Sequence, residues 1–335
     1  MDAVLEMPVE DLLEYKLTRF LRATLDKPDL SIGRLERKST GMSRENWTFA
    51  VMDGSAARPS EELILRRDPV GGMLETDRRA EYEILARLRA AGLPIPAVIA
   101  ADLEGRHLDR PSLIMEIALG DCEYNALNGG RPLAVRMELA EAFLQLLVDM
   151  QHVDWRAAGL SETLENPGAN PALHELGRWG GELARVALEP MPEMELIGSW
   201  LKRNARPARK IVVVHGDFKP GNALIHRDRI SAMLDWETAH LGDPLEDLGW
   251  ITNPARASEH QIKGHWERAD IVRGFEQRTG YAVDHRELHW WNVFSCWKLA
   301  IIVLTGLRST VDGKFDRMHH NPTWLYRRML KMVEF

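Results

Sequence analysis

The stretch IVVVHGDFKPGNALIHRDRISAMLDWETAHLGDPLEDLGW (211–250) constrains this chain more than any other part of it. Four apolar residues, Ile211 to Val214, end at His215-Gly216-Asp217, as a short buried strand would end on polar side chains. Asn222 follows Asp217 by five residues, and Asp235 follows it by 18. ALIHRD and RISAMLDWE read as two short strands that turn at Arg227-Asp228. Such a hairpin folds the chain back and brings Asp235 near Asp217 and Asn222. Gly216 and Gly221 permit a tight loop, and Pro220 stiffens it. Each residue taken alone has an ordinary explanation. An Asp beside a Gly is commonly turn chemistry, and Asp243-Pro244 reads as a helix start with Asp243 as its N-cap. The joint pattern is much more specific than its parts.

Two carboxylates and an amide at this spacing suit phosphoryl transfer. That reaction asks little covalent chemistry of a protein and much positioning and charge neutralisation. Asp217 is placed to accept a hydroxyl proton. Asn222 and Asp235 supply the oxygen ligands that magnesium prefers beside nucleotide phosphates.

With these residues in view, the segment resembles the catalytic core of the aminoglycoside phosphotransferase and choline-kinase-like family, relatives of protein kinases. It is most similar to the subgroup related to the kinase-like domain fused to some acyl-CoA dehydrogenases. HGDFKPGN matches the family's catalytic loop, DWE its metal motif and GDPLEDLGW the segment that follows. The resemblance covers roughly residues 30–310. It implies an α+β, bilobal, protein-kinase-like fold: a β-rich N-terminal lobe over 1–117, led by a helix at 8–25, and a mainly helical catalytic and substrate-binding lobe over 118–335. It implies an ATP- and Mg2+-dependent phosphotransferase acting on a small-molecule hydroxyl, with GTP as the other candidate nucleotide and Glu237 as an assisting carboxylate.

The N-terminal half can be read against that expectation. Residues 8–25 place Val9, Leu12, Leu13, Leu17, Phe20 and Leu21 at helical spacing behind Pro8. IGRLERKST, NWTFAVMD and EELILRRD follow as strand-like runs, and TDRRAEYEILARLRAAG as a helix that stops at Gly92. The resemblance implies that Gly41, Ser43 and Asn46 lie in a nucleotide-covering turn. It implies that Arg66 contacts the phosphates from the strand LILRRD, where protein kinases carry Lys. Alternation puts Ile64 and Arg66 on one face and Leu63 and Leu65 on the other. Glu81 is the implied helix partner of Arg66, with Glu83 as the competing choice. LIMEIALG resembles a hinge where an adenine would meet the main chain near Glu116 and Ile117.

Past residue 118 the helical candidates are LAVRMELAEAFLQLLVDMQHV, ALHELGRWGGELARVAL, ELIGSWLKRNA and a long stretch from about 285 to 307. Residues 161–172 read as an ordered loop. Trp290, Trp291 and Trp297 read as helix core before pocket wall. His215 reads as a brace for the loop backbone. His319-His320 has no further ligand at a metal-binding spacing.

Composition narrows the partners. The 335 residues suggest about two domains at roughly 150 residues each. A net charge of −7 disfavours a dedicated nucleic-acid binder. Two cysteines, Cys122 and Cys296, outside any CxxC pair favour a reducing, cytoplasmic setting. The N-terminus lacks the basic start of a signal peptide, and LAIIVLTGL (299–307) is far shorter than a span of about 20 residues, so no membrane is expected. Residues 1–117 carry −4 and residues 118–335 carry −3, so the helical half is not strongly acidic. Residues 300–335 carry +3, and RSTVDGKFDRMHH and YRRMLK within them could face an anion. This disfavours a polycationic aminoglycoside and leaves room for a hydroxylated acid or its coenzyme A thioester. A protein-Ser/Thr kinase is disfavoured because Asp235 is followed by neither DFG nor an APE-ended segment. A nucleotide-binding pseudokinase scaffold is the rival from another class. The oligomeric state is open.

Overall fold

The computed structural model describes residues 9–38, 45–52, 60–68, 77–313 and 322–333. The chain divides into two compact units. One comprises Met1–Arg89 with Ile95–Ala118, the other Ala90–Pro94 with Leu119–Phe335.

The first unit holds α1 (Val9–Leu25), β1 (Ser31–Ile32), β2 (Glu36–Lys38), β3 (Glu45–Met52), β4 (Glu61–Arg67), α2 (Arg78–Ala90), β5 (Val98–Asp102) and β6 (Ser112–Glu116). The strands form one antiparallel sheet in the order β1-β3-β4-β6-β5, with β2 also paired to β3. The helix at the start is amphipathic, and Leu13, Leu17, Phe20 and Leu21 are all buried. They join Trp47, Phe49 and Val51 of β3 and Leu63 and Leu65 of β4 in one core. Period-two alternation explains this: every second residue of each strand faces the core. Ile64 and Arg66 therefore face the other way, and Asn46 lies directly opposite Arg66 in the β3–β4 register.

The second unit holds β7 (Asp121–Cys122), α3 (Leu133–His152), α4 (Pro171–Val186), α5 (Pro192–Asn204), β8 (Val212–Val214), β9 (Ala223–His226), β10 (Arg229–Met233), β11 (His240–Gly242), α6 (Leu245–Ile251), α7 (Ala257–His260), α8 (Arg268–Thr279), α9 (His285–Val311) and α10 (Thr323–Met332). β10, β9 and β7 form a small antiparallel sheet, and β11 pairs with β8. The short segment 90–94 belongs here because the Met233 N–H donates to the Pro94 carbonyl at 2.8 Å.

The long apolar stretch expected from about 285 to 307 is α9, which runs on to Val311. The Asp284 carboxylate caps it by accepting the Arg286 and Glu287 N–H groups. Its length and composition would suffice to cross a membrane, yet 78% of its most apolar window is buried inside the protein. It packs against α4, α5, α6 and α10. Trp290, Trp291 and Trp297 are 4%, 2% and 3% exposed, so they are core. Trp290 and Trp291 also line a cavity of about 720 Å³.

Several elements depart from the expectation. Residues 161–172 are not all loop: a 3-10 turn spans Leu160–Glu162, and α4 starts at Pro171 with the Asn170 side chain accepting the Leu173 N–H. The helices α7, α8 and α10 add to the four helical candidates named past residue 118. The helix expected to start at Asp243-Pro244 is α6, with Pro244 rather than Asp243 at the N-cap position and the Asp243 carboxylate accepting the Leu245 N–H.

Candidate active site

β8 is wholly buried and ends at Val214, so the chain enters His215-Gly216-Asp217 from a rigid support. Gly216 has φ +82°, and a Cβ there would sit 2.8 Å from both the carbonyl oxygen and Oγ1 of Thr238. Only glycine fits this turn without strain. The Asp247 carboxylate of α6 accepts the His215 and Gly216 N–H groups at 2.7 and 3.0 Å. The Thr238 hydroxyl donates to the His215 carbonyl at 3.0 Å. Burial pushes the Asp247 carboxyl up to about 6, aided by Glu246, and the two N–H groups oppose that rise.

His215 braces the loop, as its position suggested. Its Nε2 lies 2.9 Å from the Leu234 carbonyl, while its Nδ1 accepts the Asp217 N–H at 3.2 Å. Each nitrogen has one role, donor and acceptor, so the ring is neutral. Full burial holds its pKa at about 4. The ring thereby joins the Asp217 loop to the residue preceding Asp235.

The hairpin brings the remaining candidates in. β9 and β10 pair with Ala223 opposite Met233, and the Leu234 N–H donates to the Asn222 carbonyl at 2.8 Å. Asn222 sits in a 3-10 turn, Pro220–Asn222, and is 4% exposed. Its Nδ2 donates to the main-chain oxygen of Asp217 at 3.0 Å and to Oδ2 of Asp217 at 2.9 Å. Both partners are acceptors, which fixes the amide orientation and turns Oδ1 away from Asp217. Asp235 adopts the left-handed conformation, φ +59°, and Trp236 behind it is anchored by its indole N–H to the Met233 carbonyl. Non-glycine residues in that conformation are uncommon and gather at functional sites. Glu237 follows, half-buried, in the 3-10 turn Trp236–Thr238.

Oδ2 of Asp217 also receives the Lys219 ammonium at 2.5 Å. Burial pushes the Asp217 carboxyl up, but Lys219 and the nearby Arg256 guanidinium outweigh it and hold the group below its ordinary value. The carboxylate is thus ionised at neutral pH while its side chain stays 24% exposed. Asn222 and Asp235 offer an amide and a carboxylate oxygen, hard donors whose chemistry fits magnesium rather than a thiophilic metal.

In the first unit, Arg66 Nη1 lies 3.9 Å from Glu81 Oε1, with side chains 13% and 2% exposed. Arg78 donates to the other Glu81 oxygen at 2.8 Å and also bonds Asp68. Glu83, the competing partner, pairs with Arg87 at 2.9 Å instead. The Glu116 N–H donates to the Ala97 carbonyl at 2.9 Å, so that donor is committed within the unit, and its side chain pairs with Arg89. Ile117 is 38% exposed just past β6. Gly41, Ser43, His319 and His320 lie outside the described residues.

The residues that sequence reasoning overlooked are those that pin the loop from afar: Asp247, Thr238, Lys219 and Lys298. Lys298 on α9 donates to the Gly216 carbonyl at 2.6 Å. Lys219 stood within the quoted motif HGDFKPGN and Asp247 within GDPLEDLGW, but nothing local announces Lys298.

Comparison with known proteins follows the same lines. Residues 40–289 match the model of the phosphotransferase enzyme family. Acyl-CoA dehydrogenase family member 10 of Mus musculus is 26% identical over 238 residues, 70% of this chain and 21% of that protein. Family member 11 of Gallus gallus is 26% identical over 230 residues, 67% of this chain and 29% of that protein. The chain thus spans less than a third of these curated relatives. Among solved structures, a Ralstonia eutropha protein provisionally classed as an aminoglycoside phosphotransferase has a TM-score of 0.73 at 22% identity, covering 95% of both chains. A macrolide 2'-phosphotransferase type I has a TM-score of 0.59 at 20% identity, covering 95% of this chain and 97% of that one. The streptomycin–ATP–APH(2'')-IIa complex has a TM-score of 0.58 at 15% identity, covering 89% and 91%. These likenesses show the kinase-like fold.

Proposed function

Since this chain belongs to the phosphotransferase enzyme family, we propose that it transfers the γ-phosphoryl group of ATP to the hydroxyl of a small molecule, with Asp217 as the base. The observation that carries this reading is the asymmetric hold on Asp217. Oδ2 is occupied by Lys219 and Asn222, and the residual exposure of the side chain leaves Oδ1 to meet an acceptor. As the acceptor oxygen bonds to the γ-phosphorus, its proton passes to Asp217. The bond from that phosphorus to the β–γ bridging oxygen breaks, and ADP leaves. Asn222 and Asp235 would hold Mg2+, which neutralises charge on the phosphates when bound. Arg66, steadied by Glu81, contacts those phosphates from the first unit.

The acceptor we favour is a hydroxylated acid or its acyl thioester, acted on in the cytoplasm. Lys219 and Arg256 place positive charge beside Asp217, and residues 118–335 carry only −3, which suits an anionic acceptor better than a polycation. The acyl-CoA dehydrogenase relatives support the same direction. Two free thiols, one exposed and one buried, support a reducing compartment.

The test is MgATP consumption across a panel of hydroxy acids, hydroxyacyl thioesters and aminoglycosides. Turnover on the acids or thioesters is expected, and turnover on aminoglycosides alone would overturn the acceptor class. Asp217→Asn should lower transfer by about 10²- to 10⁴-fold while nucleotide binding persists. Nucleotide binding with no turnover on any acceptor, water included, would favour a scaffold instead.

A further inference from the structure

Lys298 is a buried lysine in the middle of α9, 2% exposed. Lysines are almost never buried to this degree without a partner. Its ammonium lies over the rings of Trp179 and Trp250, 5.1 and 5.3 Å from their centroids. Oε1 of Glu246 is 3.6 Å away, a charge contact rather than a hydrogen bond. The short bond is the one to the Gly216 carbonyl, at 2.6 Å.

Charged side chains surround this ammonium without hydrogen-bonding it. Oε2 of Glu246 is 3.0 Å from Nε2 of His240, and Nδ1 of His240 is 2.9 Å from the Thr238 carbonyl. Both partners of the ring are acceptors, so the imidazole carries a proton on each nitrogen. Burial pulls its pKa down, but Glu175 and Glu246 outweigh that and raise it. Glu175 in turn takes a two-pronged bond from Arg178 at 2.8 and 2.6 Å. Ligand atoms of Glu175, His240 and Glu246 lie within 4.8 Å of one another, a spacing that a metal site also shows. Arg178, Lys298 and the doubly protonated His240 already set three positive charges against the two carboxylates there, so the cluster has no need of a metal. It is a charge chain across α4, β11, α6 and α9 that ends on one carbonyl.

That carbonyl belongs to the peptide plane joining Gly216 to Asp217. The same plane is held at its other edge, where the Asp217 N–H meets Nδ1 of His215 at 3.2 Å. A peptide unit is rigid, so fixing its oxygen and its N–H fixes the position of the next Cα. We infer that Lys298 is a positioning residue for the phosphoryl-transfer reaction: it locks the Gly216–Asp217 peptide plane and so sets where Asp217 presents its carboxylate. This rests on Asp217 being the base proposed above. Misplacing a reacting group by about 1 Å can cost about 100-fold in rate.

The test compares three variants with the wild type. Lys298→Met removes the donor but leaves Glu246 buried beside no ammonium. The double variant Lys298→Met/Glu246→Gln removes both charges, and the Gln oxygen still accepts from His240. Glu246→Gln alone loses the ion pair and keeps the donor to Gly216. Turnover is read as phosphate released from MgATP with water as acceptor, and the backbone by amide hydrogen exchange at Asp217. The double variant should fold with a thermal midpoint near the wild type and lose roughly 10- to 100-fold in kcat at an unchanged KM for MgATP. Its Asp217 amide should exchange faster, while Glu246→Gln keeps kcat and protection near the wild type. Wild-type kcat and Asp217 protection in a folded double variant would overturn the inference, as would an equal loss in Glu246→Gln. Asp217→Asn serves as the control. If it turns over MgATP like the wild type, the choice of base has failed, and Asp217 exchange in the double variant still decides whether Lys298 locks the plane.

Discussion

Asp243 carries a carboxyl whose ionisation the fold shifts to higher pH. It is 6% exposed, and burial pushes its pKa up to about 7, helped by Glu246 and Glu287 and opposed by the Leu245 N–H at 2.8 Å. In the unfolded chain the same group ionises near 3.8. The native state therefore holds its proton over a range in which the unfolded state has lost it. Stability from this group is fully present below about pH 4 and is lost as pH rises through about 7. Asp243→Asn keeps an oxygen for the Leu245 N–H and never ionises. It should be more stable than the wild type at pH 8, by up to about 4 kcal/mol, with the advantage vanishing near pH 4. Urea unfolding at both pH values checks this, and an advantage that grows on acidification would contradict it. Gly216 makes the opposite case, a residue that tolerates no replacement. Gly216→Ala would pay for a left-handed backbone, about 1–2 kcal/mol, and would push its methyl against Thr238. Lower thermal stability together with a kcat loss near 100-fold is expected, measured on the soluble variant.

At the scale of elements, the hairpin of β9 and β10 shows how a local pattern becomes site geometry. Arg227 and Asp228 both have positive φ, 49° and 61°, the mark of a type I′ turn. Arg is poorly suited to that conformation, whereas Asn adopts it readily. Arg227→Asn should raise stability by about 0.5 kcal/mol without touching Asp228, which binds Arg131 at 2.8 Å. A lower melting temperature would argue against strain at this position. The turn was legible because two alternating runs flank it. What followed was not: a bulge between Ile230 and Ala232 shifts the register, and the Ser231 hydroxyl there bonds the Leu119 and Leu224 carbonyls. The bulge does break the alternation, with Ala232 and Met233 both buried, but such a break does not say which residue is the extra one. The helix α8 escaped notice for a related reason. Its capping box uses Glu267 and Asp270 in place of the usual Ser or Thr start, and few of its residues are apolar. The helix α9 was legible through its length, but its docking was not. Trp297 donates its indole N–H to the Met194 carbonyl of α5 at 3.1 Å in the buried interior. Trp297→Phe removes this bond between helices and should cost about 0.5–1.5 kcal/mol in denaturant unfolding.

For the whole molecule, the spacing of Asp217, Asn222 and Asp235 could be read because one strand, one turn and one hairpin carry all three. The groups that pin them could not, since they arrive from far along the chain: Asp247 bonds residues 31 and 32 positions earlier, and Lys298 reaches back 82. Long-range partners of this kind obey no period that a sequence displays. Glu81 is the contrast: the resemblance named it over Glu83 as the partner of Arg66, and the first unit pairs the two, while Glu83 pairs with Arg87. Because nucleotide contact is assigned to that unit and chemistry to the other, the two should separate by mutation. MgATP at 100 times its dissociation constant stabilises the species that binds it by about 2.7 kcal/mol. Wild type and Asp217→Asn should both show that gain as a higher melting temperature, since neither loses a phosphate contact. Arg66→Ala should lose most of it. Its fold should survive, because Arg78 still holds the buried Glu81 carboxylate at 2.8 Å and no charge is left wholly unpaired. Arg66→Lys keeps the charge but not the forked geometry, so it should recover only part of the gain. If Arg66→Ala is stabilised by MgATP as much as the wild type, Arg66 does not touch the phosphates, and the role of the β4–α2 ion pair is confined to holding the first unit together.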